Sequence, residues 1–222
     1  RGPIPFDVKT GEVFGILCSG GQARRTMIAI LTTTLLPVPG FAEASPLAIL
    51  GNLGDVRRSM GIVFPESVLD PALTARENLD FQARLNGLDD EGRRRRIPAA
   101  IRLCGLDGSA DDPVATYTPA MVRQVEVARA ILEHPKVLFL AEPTAGLDDP
   151  DRREVWDLLR RLNRDRGMTV VFTTHDLEEA GAISDRVAVV DHGEVVALDT
   201  PETFRAVMGV EDEASPGLDD TA

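Results

Sequence analysis

Lysine is nearly absent: of the 24 basic residues only Lys9 and Lys136 are lysine, and the other 22 are arginine. A phosphate site that depends on an ammonium group has only those two residues to draw on. Cysteine is equally scarce. Cys18 and Cys104, far apart in a chain with no secretory start, exclude a disulfide framework and a cysteine zinc site, and they point to a cytoplasmic protein. No run reaches the roughly 18 apolar residues of a membrane-spanning helix, so the sequence does not cross a bilayer by itself. Positive charge is in deficit, with 36 acidic residues against 24 basic ones and a net charge of −12. Glu211, Asp212, Glu213, Asp219 and Asp220 supply part of that excess, but the body stays negative, which excludes nonspecific nucleic-acid binding. No internal repeat is visible, so a solenoid is excluded as well.

What is present is the hydrophobic content of an ordinary globular chain, 43% over 222 residues, enough for one domain with a subdomain. Short apolar runs bounded by turn residues read as buried strands: Val13 to Leu17, Gly61 to Phe64, Val137 to Leu140, Thr169 to Thr173 and Val187 to Val190. Amphipathic stretches lie between them, at Arg24 to Leu36, Arg153 to Asn163 and Leu177 to Ile183. This alternation predicts an α/β fold, a parallel sheet with helices on both faces.

From about Leu73 to Leu132 the strand pattern stops and helical patterns take over, as in Thr74 to Leu85, which predicts an inserted helical subdomain. The basic run Arg93 to Arg96 within it, next to Asp89, Asp90 and Glu91, reads as a solvated helix face. After Met208 apolar periodicity ends, and residues 211–222 read as a disordered acidic tail.

Two segments carry a specific pattern. Lys136-Val-Leu-Phe-Leu-Ala-Glu-Pro-Thr-Ala-Gly-Leu-Asp-Asp is a strand with an acidic tip and a turn, and Val170-Val-Phe-Thr-Thr-His-Asp-Leu-Glu-Glu-Ala is a second strand ending in histidine. Their order and spacing resemble the Walker B, D-loop and switch-histidine region of ABC transporter ATP-binding domains. Gly11-Glu-Val-Phe-Gly-Ile-Leu, Leu73-Thr-Ala-Arg-Glu-Asn-Leu and Asp185-Arg-Val-Ala-Val-Val-Asp-His-Gly-Glu-Val-Val-Ala extend the resemblance, which is to the ATPase subunits of bacterial drug and ion exporters. It implies a P-loop NTPase-like α/β fold over residues 1–210, ATP and Mg²⁺ as cofactors, and a membrane permease as partner. It also implies a homodimer or heterodimer with another ATPase subunit, and a location peripheral to the inner face of the membrane. The aromatic platform for adenine that opens such domains has only Phe6 as a candidate here.

Position by position, the chemistry that the resemblance implies is thinned out. A phosphate loop of the form G-x-x-x-x-G-K-[ST] works through glycine-freed backbone N–H groups, a lysine on the β and γ phosphates, and a hydroxyl on Mg²⁺. The corresponding stretch is Cys18-Ser-Gly-Gly-Gln-Ala-Arg-Arg-Thr26, which maps nucleotide contacts to Gly20, Gly21, Arg24, Arg25 and Thr26. Cys18 and Ala23 stand where the motif has glycine, Arg24 where it has lysine, and Arg25 where it has the metal-binding hydroxyl. A guanidinium is wider and differently hydrated than an ammonium, and Arg25 offers no metal ligand.

The glutamine that follows the next strand in the family corresponds to Pro65, and the Ser-Gly-Gly-Gln signature corresponds to Thr118, Pro119, Ala120 and Met121. Thr118 and Pro119 are good helix-starting residues, so the helix is expected to form while the anion contact weakens. Ala141 stands at the metal-anchoring aspartate, so with Arg25 both of the family's protein anchors for the metal are gone and no metal-site residue is assigned. Glu66 could bind a cation but reads as a solvated loop glutamate. Glu142 at the general-base position, Asp148 of the D-loop and His175 of the switch are retained. In a head-to-tail dimer, each ATP lies between one subunit's phosphate loop and the other's signature, and both halves are altered here. The expected function is a degenerate ATP-binding subunit with weak or no hydrolysis and a structural or regulatory role. The alternative is a working ATPase that uses unconventional phosphate and metal contacts.

Overall fold

The computed structural model describes residues 6–18, 43–44, 47–48, 59–191 and 194–208. Strands β1 (Val13–Cys18), β4 (Met60–Val63), β5 (Val137–Ala141), β6 (Thr169–Thr174), β7 (Arg186–Asp191) and β8 (Glu194–Asp199) form one sheet in the order β4-β5-β6-β1-β7-β8. The short strands β2 (Glu43–Ala44) and β3 (Leu47–Ala48) pair separately. All neighbours in the main sheet are parallel except β7 and β8, which run antiparallel with a register shift at Val189/Val190. The parallel sheet expected from the sequence is therefore a mixed one. All six residues of β6 are buried, as the apolar run predicts for a strand covered on both sides. By contrast β8 lies at the sheet's edge with exposed ends, and of its apolar run Val195 to Leu198, Val196 is exposed and the other three are half-buried.

The period of two divides the core. Leu138, Leu140, Val170 and Phe172 face the helices, while Phe14, Ile16, Phe139, Val171, Ala188 and Val190 pack on the other side. Phe6 stacks on Phe14 with ring centroids 5.1 Å apart, so one face of this candidate adenine platform is used to cover the sheet.

Between β4 and β5 lie α1 (Ala75–Leu85), α2 (Asp90–Leu103), a single 3₁₀ turn at Val114–Thr116 and α3 (Pro119–Ala130). This is the helical stretch expected from the sequence; its one β contact is the isolated Thr74–Pro113 bridge. Thr74 opens α1 with a capping box: its hydroxyl accepts from Glu77 N at 3.1 Å and its own N–H donates to the Glu77 carboxylate at 2.9 Å. The run Arg93 to Arg96 is not one solvated face. Arg93 pairs with Asp80 at 2.9 Å and with Asp90, and Arg96 donates to the Leu132 carbonyl at 3.3 Å, leaving only Arg94 and Arg95 exposed. The reason is the helical period, which puts residues three apart on one face and so turns the first and last members of the run toward α1 and the segment after α3.

Helix α4 (Asp149–Arg166) begins at the Asp148 cap and ends at Gly167 in the left-handed conformation (φ 60°). Helix α5 (Leu177–Ile183) begins at Asp176, and α6 (Pro201–Met208) ends the described chain. The helix expected at Arg24 to Leu36 and the tail at 211–222 lie outside the described residues.

Candidate functional site

Because β1, β4, β5 and β6 are parallel, their carboxyl ends lie along one edge of the sheet, where ligands of open α/β sheets bind. That edge receives Cys18, Phe64, Glu142 and His175. The loop after Cys18 that carries Gly20, Gly21, Arg24, Arg25 and Thr26 lies outside the described residues.

Glu142 leaves the end of β5 with φ 50°, in the left-handed region where a side chain is strained. Its N–H donates to the Thr173 carbonyl at 2.9 Å, which pins the turn to β6. Its Oε2 lies 3.0 Å from His175 Nδ1. The carboxylate is one-fifth exposed and the imidazole more than half, so the pair sits at the mouth of the edge rather than in the core. The structure thus brings together the two residues that the sequence assigns to base and switch.

Asp148 acts locally, capping α4 by accepting from Asp151 N through Oδ1 at 3.1 Å. Thr118 caps α3 by accepting from Met121 N at 3.2 Å, with Pro119 at the first helical position, as expected. Ala120 is buried behind them, while Thr118, Pro119 and Met121 reach the surface or near it.

Ala141 is the last residue of β5 and pairs in register with Thr173 of β6. The Thr173 hydroxyl is buried and has no hydrogen-bond partner. A carboxylate at 141 would stand on the neighbouring strand beside that orphaned donor; the methyl of Ala141 leaves it unserved. Among the described residues no ligand set for a Mg²⁺ ion is found at this edge. Position 141 offers no oxygen, the Glu142 carboxylate is turned onto His175, and among the described residues no cluster of His, Cys, Asp or Glu could hold a metal.

Several polar residues that the sequence reading passed over are central here. On α3, Arg123 is desolvated, which lowers its pKa, while the Glu126, Glu179 and Glu66 carboxylates oppose that shift. It donates to the carbonyls of Phe64 and Pro65 at 2.7 and 3.1 Å. One turn on, the buried Glu126 accepts from Ser67 Oγ at 2.8 Å and Val68 N at 2.9 Å, and pairs with Arg129, which in turn reaches Gln82 of α1 at 2.9 Å. The 64–68 loop is thus bolted to α3 through its main chain and the Ser67 hydroxyl. The three-residue spacing of Arg123, Glu126 and Arg129 on one helix face was the available signal.

Below the Glu142 turn, Glu179 is 2% exposed and Thr144 is 5% exposed. Glu179 Oε1 accepts from Thr144 Oγ1 at 2.6 Å and from Trp156 Nε1 at 3.2 Å. Burial raises its pKa, hydrogen bonds from Thr144, Thr174 and Trp156 partly offset the rise, and nearby Asp176 adds to it. Arg152 of α4 lies over the Trp156 ring at 5.0 Å and pairs with Asp176.

Strand order, the helical insertion and the carboxylate–imidazole pair at the sheet edge define a class: the ATP-binding domain of ABC transporters, on a P-loop NTPase-like α/β fold. The chain belongs to that family, whose sequence model, described as ABC transporter, matches residues 2–145. It is 36% identical over 206 residues to the daunorubicin/doxorubicin resistance ATP-binding protein DrrA of Streptomyces peucetius, covering 93% of this chain and 62% of that protein. It is 32% identical over 206 residues to the linearmycin resistance ATP-binding protein LnrL of Bacillus subtilis (strain 168), covering 93% of this chain and 66% of that one. The chain therefore spans less than two thirds of the length of these relatives. Among solved structures, cbiO1 of Clostridium perfringens, part of the ABC transporter complex cbiONQ, superposes with a TM-score of 0.78 at 29% identity, covering 92% of this chain and 83% of that one. A dimeric ATP-binding cassette in a post-hydrolysis state bound to ADP and Pi gives 0.71 at 26% identity, covering 89% of each chain. Among the described residues no helix is long and apolar enough to cross a membrane.

Proposed function

We propose that this chain is a degenerate ATP-binding component of an ABC exporter, with weak or no ATP hydrolysis and a structural or regulatory role. It works beside a membrane permease at the inner face of the membrane and pairs with a second ATPase subunit. The export context rests on relatives described as drug-resistance, linearmycin-resistance and Nod factor export ATP-binding proteins. For the permease, the exposed Phe64, Val68, Phe81 and Leu85 offer apolar side chains on the 64–68 loop and on α1, which α3 holds together.

The observation that carries the catalytic part of the reading is Ala141 beside the unpartnered Thr173 hydroxyl. A transferring phosphoryl group needs a placed cation to neutralise its developing charge. Arg25 and Ala141 remove both protein anchors of that cation, and Glu142 then has no positioned water and phosphate to act upon. The contact between Glu142 and His175 favours the second reading, a working ATPase with unconventional contacts.

MgATP hydrolysis by the intact chain, alone and mixed with its partner subunit, decides between them. The expected rate lies more than about tenfold below that of an ordinary ABC cassette, because each lost charge contact lowers turnover by powers of ten, and it is the same in Glu142→Gln. A Mg²⁺-dependent rate within about tenfold of an ordinary cassette, abolished by Glu142→Gln, overturns the proposal.

A further inference from the structure

Two turns meet at the sheet edge, residues 142–148 after β5 and residues 174–177 after β6, and two side-chain bridges join them. The outer bridge is Glu142 to His175 at 3.0 Å, open to solvent on the histidine side. The inner bridge is Thr144 to Glu179 at 2.6 Å, with both residues almost fully buried. We infer that the inner bridge positions the outer one, Thr144 and Glu179 being positioning residues that set Glu142 against His175.

The chain path makes the argument. Thr144 lies two residues after Glu142, whose left-handed backbone is a conformation that other contacts must hold in place. Glu179 lies four residues after His175, and the segment between is stiffened by Asp176. The Asp176 N–H donates to Thr174 Oγ1 at 2.9 Å, and its Oδ1 accepts from Glu178 N and Glu179 N at 2.8 and 3.3 Å. Trp156 and Arg152 bring α4 into the same cluster, Trp156 through the shared Glu179 oxygen and Arg152 through Asp176 and Glu178. The charged groups facing Glu179 are Asp176 from its own helix start and Arg123 from α3. An exposed imidazole–carboxylate contact is weak alone, whereas a desolvated hydrogen bond holds its geometry.

This inference rests on Glu142 and His175 occupying the base and switch positions, but its test does not require hydrolysis. The chain has three histidines, His134, His175 and His192, so the His175 imidazole signal is assignable by substitution in NMR spectra of the intact protein. Glu142→Gln calibrates the shift caused by losing the carboxylate partner. Thr144→Val, which removes only the hydroxyl, is expected to move the His175 signal at least half of that distance. Thr144→Ser and Glu179→Gln, which keep the donor and the acceptor, are expected to leave it at the wild-type position. Should Thr144→Val fail to fold, Glu179→Asp, which keeps the charge and withdraws the acceptor by one methylene, carries the same expectation. A His175 signal unmoved in the folded bridge-breaking variant, or moved as far by Glu179→Gln, overturns the inference. Fast ATP hydrolysis, by contrast, would overturn the proposed function and leave this result standing.

Discussion

Arg123 Nη2 donates to the Pro65 carbonyl at 3.1 Å, so the loop after β4 is held through its backbone. The Phe64 carbonyl takes Nη1 of the same guanidinium at 2.7 Å. Removing this buried cation strands both carbonyls and leaves Glu126 with Arg129 as its remaining arginine partner. Arg123→Met is therefore expected to lower unfolding stability by about 2 to 4 kcal/mol, read from urea midpoints. Arg123→Lys should recover less than half of the loss, because one ammonium cannot serve two carbonyls in the geometry of a planar fork. An unchanged midpoint in Arg123→Met would mean that the tether contributes no stability.

Glu142 makes the opposite prediction, because its backbone conformation suits glycine. A left-handed conformation costs a non-glycine residue about 1 to 2 kcal/mol, and the extra chain entropy of glycine gives back about 0.5 to 1 kcal/mol of any gain. Glu142→Gly should therefore raise stability by up to about 1 kcal/mol, even though it deletes the contact with His175. Glu142→Ala, which keeps the strain, should not. Thermal midpoints of the two variants side by side are the check; equal losses in both would show that the turn stores no strain.

What the sequence made legible follows from burial. Strand β6 reads plainly because every residue from Thr169 to Thr174 is buried, and α3 reads plainly because Thr118 and Pro119 are chemically committed to a helix start. Strand β8 was missed although Val195 to Leu198 form an apolar run; as an edge strand it leaves Val196 exposed and the other three only half-buried, so it lacks the full burial that marks β6. Glu142 and His175 were singled out by the family resemblance, whereas their contact was not. The supports of that edge were not legible either: Arg123, Glu126 and Glu179 look like solvated helix residues until loops and turns 35 to 59 positions away close over them. Local pattern carries no information about such partners. The same limit applies to Arg93, whose Asp80 partner belongs to a different helix.

Gly61 shows how closely the helical insertion is applied to the sheet. A Cβ built there would stand 2.6 Å from the Ala130 carbonyl oxygen and 3.1 Å from Pro135 Cγ. Both neighbours are backbone or ring atoms that cannot swing aside. Gly61→Ala should thus push the end of α3 away from β4 and lower stability by about 1 to 3 kcal/mol, the range for overpacked cores. Hydrogen exchange localises the effect: faster exchange is expected in β4 and at the end of α3, with β7 unaffected. Uniform loosening of the whole sheet would argue against a local clash.

The pH dependence of stability isolates Glu179. Burial raises its pKa above the ordinary value of 4.5, and the Asp176 carboxylate adds to the rise. Between the ordinary value and the folded one, the folded chain therefore holds a proton that the unfolded chain has released. Stability from this group falls as pH rises through that window, and the penalty is complete above the folded value. This is the reverse of a salt-bridged carboxylate, which destabilises toward acid. Glu179→Gln stays neutral at every pH and still offers an oxygen to Thr144 and Trp156. Its stability relative to wild type should accordingly be lowest near pH 4.5, climb as the pH is raised, and level off once Glu179 is ionised in the folded wild type. Urea unfolding of both proteins across that range measures the difference directly. A difference that is flat with pH, or that grows toward acid, would place the Glu179 carboxylate in a favourable charged environment and contradict its assignment as a desolvated acceptor.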